Sequence, residues 1–259
     1  MQPLLRAGDP PPFSVHNEKG KAPLLLLCDH ASKAVPKALG ALGLTDAELS
    51  QHVGWDIGGL DAAIELSTQL DTPLVASGYS RLVIDCNRWP GGKGSTLEIS
   101  DTTPVPANKG LTKEQVDARA SACFWPYHHE VDRQLDRLTA GGRKICLLVM
   151  HSFTPEMKGF KRPWHVGVLW NDDPRLPEPL LAELRKDKSL VVGDNEPYSA
   201  RDPVEYTLSA HAKPRALPHC SLEVRQDLIG TPDDARSWGR RLAPAIGAAV
   251  AAAIAAPSG

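Results

Sequence analysis

The chain is 259 residues long, with 42% hydrophobic and 23% charged residues, a balance that excludes wholesale disorder. At roughly 100–200 residues per domain, this length suits one large domain or two small ones, and it is enough to bury a core without disulfide or metal staples. A net charge of −2 leaves no basic field to hold a nucleic-acid backbone or an anionic membrane surface.

Met1 to Phe13 is Pro-rich, lacks an apolar stretch and does not read as a signal peptide. Ala22 to Cys28 (APLLLLC) reads as a buried strand. Thr45-Asp-Ala-Glu48 is a capping box that starts a helix, and Ile57, Leu60 and Ile64 share one face of the next. Leu82 to Ile84 is expected to be a second strand, and Gly91 to Gly110 a loop. A second capping box, Thr112 to Gln115, opens a long helix through Leu138. Ile145 to Met150 (ICLLVM) is a third strand; Val166 to Leu169, Leu190 to Val192 and Leu222 to Val224 are weaker ones, and Asp194 to Pro218 reads as a loop. Trp238, Leu242, Ile246, Val250 and Ile254 recur every four residues in a last helix, which Pro244 is expected to bend or to start late. The longest apolar stretch, Ala245 to Ala256, is too short and Ala-rich to span a bilayer.

No repeat or low-complexity linker divides the chain. Strands that are apolar throughout need cover on both faces, so the alternation predicts a single α/β domain over residues 1–259. Its central sheet should contain the strands near Leu24, Leu82, Ile145 and Leu222. The five cysteines (Cys28, Cys86, Cys123, Cys146 and Cys220) are odd in number and widely spaced, which fits reduced, buried thiols in a cytoplasm rather than disulfides or a zinc–thiolate site.

Polar clusters follow the predicted strands, and in open α/β sheets ligands bind at the strands' carboxyl ends. Cys28-Asp29-His30 follows LLLL, Asp85-Cys-Asn87-Arg88 follows Leu-Val-Ile, His151-Ser152-Phe153 follows LLVM, and Glu223-Val-Arg225-Gln-Asp227 lies in or beside a late strand. Two histidines, a carboxylate and arginines on one rim suit a metal-assisted hydrolase, because zinc takes neutral imidazoles plus a carboxylate and keeps a position open for water. Each residue also has a plainer reading. A strand-end histidine is a common local hydrogen-bonder, Asp56 fits a helix N-cap, Glu223 could pair with Arg225, and Arg88 could be a surface cation. The Gly91–Ser95 run lacks the spacing of a phosphate loop, and Gly-x-Ser-x-Gly and His-Glu-x-x-His are both absent.

DCNRWP, MHSF and LEVRQD resemble, in order, segments of the zinc carboxypeptidases. A closer resemblance runs from about Leu24 to about Gly230: CDHASKAVP, HVGWDIGG, YSRLVIDCNR, WPYHHEVD, LLVMHSFTP, DNEPYSARD, EYTLSAHA and LEVRQDLIG together resemble the N-formylglutamate amidohydrolase family. That resemblance implies a three-layer α/β/α fold around a mixed sheet, of the zinc-carboxypeptidase-like (phosphorylase/hydrolase-like) kind, with one bound zinc ion and hydrolysis of an N-formyl or N-acyl amino acid. His30 and His151 are the implied ligands. Lys33 stands where the carboxypeptidase pattern has its ligating Glu, so a replacement carboxylate is needed: Asp56 in GWDIGG, with Asp29 as the alternative.

The implied roles follow. Glu223 is general base and acid. Arg88 binds the substrate carboxylate with Asn87, and an arginine helps stabilise the oxyanion. Arg81 or Arg225 supplies a second cation for a dicarboxylate, and His128, Tyr206 and His211 line the pocket. The expected partner is a small acidic N-acyl amino acid, with neither nucleic acid nor membrane. Three readings stand: deformylation of N-formyl-L-glutamate, a step of histidine breakdown; the same chemistry on another N-acyl amino acid or small peptide; and a metal-free binding protein on the same fold.

Overall fold

The computed structural model describes residues 3–199 and 205–256. Strand β1 (Phe13–His16) precedes β2 (Leu24–Cys28). Helices α1 (Asp46–Leu49) and α2 (Gly59–Gln69) lead to β3 (Leu74–Ser77). Helices α3 (Lys113–Arg119) and α4 (Trp125–Thr139) lead to β4 (Cys146–Phe153). Then come β5 (Val166–Leu169), α5 (Pro177–Leu184), β6 (Val192–Asp194), α6 (Thr207–His211), β7 (His219–Arg225) and α7 (Pro232–Ala255). Short hairpins at 99–104 and 156–161 lie outside the main sheet.

The seven strands form one mixed sheet in the order β1-β3-β2-β4-β7-β5-β6. Its centre, β3-β2-β4-β7, is parallel; β1 runs antiparallel to β3, and the parallel pair β5-β6 runs antiparallel to β7. Alternate residues of β2 feed opposite layers. Leu24, Leu26 and Cys28 join the side chains of α2, α5 and α7, whereas Leu25 and Leu27 join Val131, Leu135 and Leu138 of α4. All five β2 residues are buried. This is the expected three-layer α/β/α arrangement, and the period-2 pleat explains why an unbroken apolar run supplies both layers.

Both capping boxes form. Thr45 and Glu48 satisfy each other's backbone at α1, and Thr112 and Gln115 do so at α3. The expected long helix from Thr112 is interrupted by a π turn over Ala120–Phe124, which ends two residues before Pro126, whose missing N–H cannot continue the regular ladder. The last helix starts earlier than its apolar stripe: Thr231 caps it, Pro232 enters at the first turn, and it runs through Pro244 to Ala255.

One predicted strand is absent. Leu82, Val83 and Ile84 are buried, but no ladder forms there. Side chains satisfy their backbone instead: Asn108 Nδ2 donates to the Leu82 carbonyl (2.9 Å) and Arg119 Nη1 to the Val83 carbonyl (3.0 Å). Burial therefore produced the apolar run without strand pairing. The sheet position belongs to β3, a four-residue strand too short to stand out in the sequence. Gly78 then ends it where a Cβ would lie 2.1 Å from the Pro11 carbonyl oxygen.

Candidate metal centre and its cleft

The parallel centre of the sheet sends its carboxyl ends to one cleft of about 430 Å³. His30 and Asp29 follow β2 directly. His151 lies inside β4, and Glu223 of β7 is its partner in the parallel ladder. On the other side of Glu223 the ladder partner is Gly167 of β5. A Cβ at Gly167 would lie 2.0 Å from the Glu196 carbonyl oxygen, so only glycine lets the Asn195–Pro197 loop cross the sheet end and carry Tyr198 and Ser199 into the cleft wall.

Asp56 reaches the same point from the turn before α2. Its N–H donates to the His30 carbonyl (2.9 Å), which ties the turn to the end of β2. The N-cap position of α2 belongs to Gly58, at φ 73°, and the capping role expected for Asp56 is not observed. A Cβ on Gly58 would lie 2.0 Å from the Ile229 carbonyl oxygen. The Asp56 carboxylate is thereby free to turn inward.

His30, Asp56 and His151 are buried, and one donor-type atom from each lies within 4.8 Å of the other two. Asp56 Oδ2 accepts from His151 Nδ1 (2.8 Å) and lies 3.4 Å from His30 Nδ1. The His30 tautomer follows from its partners. Asp85 Oδ1 can only accept, so His30 Nε2–H donates to it (2.8 Å), and the Nδ1 lone pair faces the cluster, where it meets a guanidinium nitrogen of Arg81. A neutral imidazole braced by a carboxylate is the form that binds a metal. Asp29, the alternative third carboxylate, is engaged elsewhere. Tyr127 and Thr207 hydroxyls donate to its two oxygens (2.7 and 2.9 Å), and it lies 3.8 Å from the far nitrogen of His151, Nε2, which has no hydrogen-bond partner. Three buried donors of the types zinc prefers, with one ring already braced, fit a metal ion.

The electrostatics follow from the charges gathered here, in the metal-free state. Burial alone would raise the Asp56 pKa, but Arg81 and the two imidazoles hold it well below the usual carboxylate range. Burial likewise opposes ionisation of Asp85, yet His30 and Arg81 keep it low. Burial would depress His151, and the Asp56 hydrogen bond overrides it, raising the imidazole to about 9. Glu223 differs: burial pushes it up to about 7, and its Oε2 has no hydrogen-bond partner.

The remaining predicted residues divide. Arg81, Asn87 and Arg88 line the cleft. Arg81 donates to Asp56 Oδ1 (2.7 Å) and so belongs to the donor cluster. Arg88 is held by its own backbone, Nη1 donating to the Asn87 carbonyl (2.8 Å), and by a β-bridge to Glu205. Arg225 is not in the cleft: Asp227 (2.7 Å) and the carbonyls of Arg162 and Trp164 take its guanidinium. Nor do His128, Tyr206 and His211 line it. They are buried behind the Asn87–Arg88 segment, where Phe124, Trp89 and one another cover their rings.

Sequence reading assigned no role to Asp85, although it opens the Asp-x-Asn-Arg segment, nor to Glu205, Tyr198 and Ser152, which share the cleft wall. Glu205 precedes Tyr206 in EYTLSAHA, and nothing in its spacing distinguishes it from a surface acid. In the fold it faces the cleft, and burial raises its pKa.

A mixed sheet between two helical layers that brings two imidazoles, a carboxylate and a neighbouring acid to one cleft is an α/β/α fold with the donor set of a metal-assisted hydrolase. The family model for N-formylglutamate amidohydrolases (FGase) matches residues 22–230, and the chain belongs to that family of amide hydrolases. The solved structure of gene product Atu2144 from Agrobacterium tumefaciens is similar over 95% of this chain and 97% of its own, with 35% identity and a TM-score of 0.91. An N-formylglutamate amidohydrolase from Ralstonia eutropha JMP134 is similar over 91% of this chain and 98% of its own, at 19% identity and a TM-score of 0.64, a likeness of fold alone. No curated protein matches the chain. Among the described residues, no helix is long and apolar enough to cross a membrane.

Proposed function

We propose that the protein hydrolyses N-formyl-L-glutamate to formate and L-glutamate, with one zinc ion held by His30, Asp56 and His151. The observation that carries this reading is the placement of Glu223, a buried carboxylate whose Oε2 has no hydrogen-bond partner, beside His151 in the strand ladder and on the wall of the same cleft. When bound, the ion would polarise the formyl carbonyl and make water acidic enough to attack at neutral pH.

The chain's own residues do the rest. Glu223 takes the proton from the attacking water and passes it to the leaving amine. A carboxylate raised to about 7 suits both halves of that transfer near neutral pH. Arg88, pre-oriented by the Asn87 carbonyl, binds a substrate carboxylate with two parallel hydrogen bonds, and Asn87 holds the segment in register. Arg81, which lines the same cleft, is the second cation and a candidate donor to the developing oxyanion. Lys33 cannot replace a ligating carboxylate, because its ammonium is turned to Ser50 Oγ (2.7 Å). The five buried free cysteines support a reducing compartment, and we place the enzyme in the cytoplasm.

The test is release of free amino acid by zinc-loaded and chelator-treated protein from N-formyl-L-glutamate, N-acetyl-L-glutamate and a dipeptide. Preferred cleavage of the first, lost on chelation and restored by zinc, supports the reading. Cleavage of the others in preference would move the substrate to another N-acyl compound. Equal rates with and without metal would remove the ion from the mechanism.

A further inference from the structure

Behind the Asn87–Arg88 segment lies a chain of buried hydrogen bonds that the proposed chemistry does not use. His128 Nε2 is 2.9 Å from the Cys86 carbonyl oxygen, His128 Nδ1 is 2.8 Å from His211 Nε2, and His211 Nδ1 is 2.9 Å from Asp132 Oδ1. The two rings lie end to end, with centroids 5.1 Å apart and planes tilted by only 21°, so the N···N contact is in plane. Both imidazoles are buried.

The ends of this chain are acceptors. A carbonyl and a carboxylate cannot donate, so each end needs an N–H from the ring facing it. Two neutral imidazoles have only those two protons, which would leave two lone pairs facing each other at 2.8 Å. A third proton makes the central contact an N–H···N hydrogen bond. We propose that the Asp132–His211–His128 chain is a positioning device for the Asn87–Arg88 segment, and that it carries three protons on its four ring nitrogens.

Burial, followed by the neighbouring His211, pushes His128 down to about 3, and Asp132, in contact with His211 Nδ1, is the carboxylate that supplies a counter-charge to the chain. Other charged and titratable groups around the pair, among the described residues, are Arg215, which donates to Asp132 Oδ1 (3.0 Å), Asp136, 3.6 Å from Arg215, His129 on α4, and Tyr127 and Tyr206, whose rings pack on His128. The consequence lies at the other end. The anchored Cys86 carbonyl immediately precedes Asn87, whose side-chain oxygen accepts from the Tyr206 and Thr207 amides (3.1 and 3.0 Å). The chain thus locks α4, α6 and the substrate-facing segment together.

The substrate part of this inference rests on the assignment of Arg88 above; the proton count does not. In protein labelled with ¹⁵N-histidine, imidazole NMR at neutral pH should show three N–H protons on this pair. Asp132→Leu removes the counter-charge without offering an N–H in its place, and should leave two. It should also speed amide exchange at Asn87 and Tyr206 about tenfold and raise KM for N-formyl-L-glutamate about tenfold with kcat little changed, the scale of one buried hydrogen bond. His211→Phe is the second variant and should give the same exchange and KM shifts.

Two N–H protons in the wild type would overturn the proton count. Wild-type exchange and KM in folded variants, with only a lowered Tm, would make the chain merely structural. If Arg88→Lys leaves KM unchanged, the Arg88 assignment fails instead, and proton count and amide exchange still decide on the chain.

Discussion

Glu223 and His151 are direct neighbours in the parallel ladder of β7 and β4, and no side chain separates Glu223 from the cleft on its other flank, where the partner is Gly167. Sheet register therefore sets the distance between acid and imidazole, and loop mobility does not enter. A strand slip of one residue would turn Glu223 to the opposite face.

Glu223→Gln keeps this shape but removes the proton acceptor. Turnover should fall by about 10²–10⁴-fold, with zinc content and Tm near wild type. Measuring kcat, bound zinc and Tm on one preparation separates this from a structural role, which would lower Tm and leave the specific activity of the folded fraction intact.

Asp85 braces His30 through Nε2 at 2.8 Å. Asp85→Asn can present its amide nitrogen to the ring and favour the wrong tautomer. Metal affinity should drop by about 10–100-fold, read by competition with a chromophoric chelator. An unchanged zinc Kd would show that the ring is held by its strand and by Arg81 alone.

Arg88→Lys replaces a planar fork with a point charge. KM for the acidic substrate should rise about tenfold or more while zinc stays bound, the cost of a charge-assisted pair. If KM does not move, the substrate carboxylate lies elsewhere in the cleft.

His128 gives a pH signature that is independent of turnover. Its folded pKa is depressed to about 3 from 6.5, so its contribution to stability is complete above pH 6.5 and is lost as the pH falls toward 3. Over that window the unfolded chain binds one more proton, and stability should fall by about 1.4 kcal/mol per pH unit. Denaturant unfolding at several pH values should give a slope shallower by that amount in His128→Phe. Equal slopes would mean that the imidazole titrates alike in both states.

Sequence alone determined what local chemistry can encode. The unbroken apolar runs at Leu24–Cys28 and Ile145–Met150 marked strands covered on both faces, the Thr45 and Thr112 boxes marked helix starts, and His30 and His151 stood out as polar residues closing apolar strands. Tertiary structure alone decided which groups meet. Asp56 and His151 are 95 positions apart yet share a 2.8 Å hydrogen bond. Asp29 adjoins His30 in sequence, but Tyr127 and Thr207 turn it away from the donor cluster. Arg225 and His128 carry chemistry-bearing side chains in family-like segments, and packing spends both on support. The Leu82–Ile84 run shows the same limit from the apolar side, since hydrophobicity reports burial and cannot say whether a strand, or the side chains of Asn108 and Arg119, will satisfy the buried backbone. Residue type sets what a group can donate, accept or bury; long-range register and packing set what it faces.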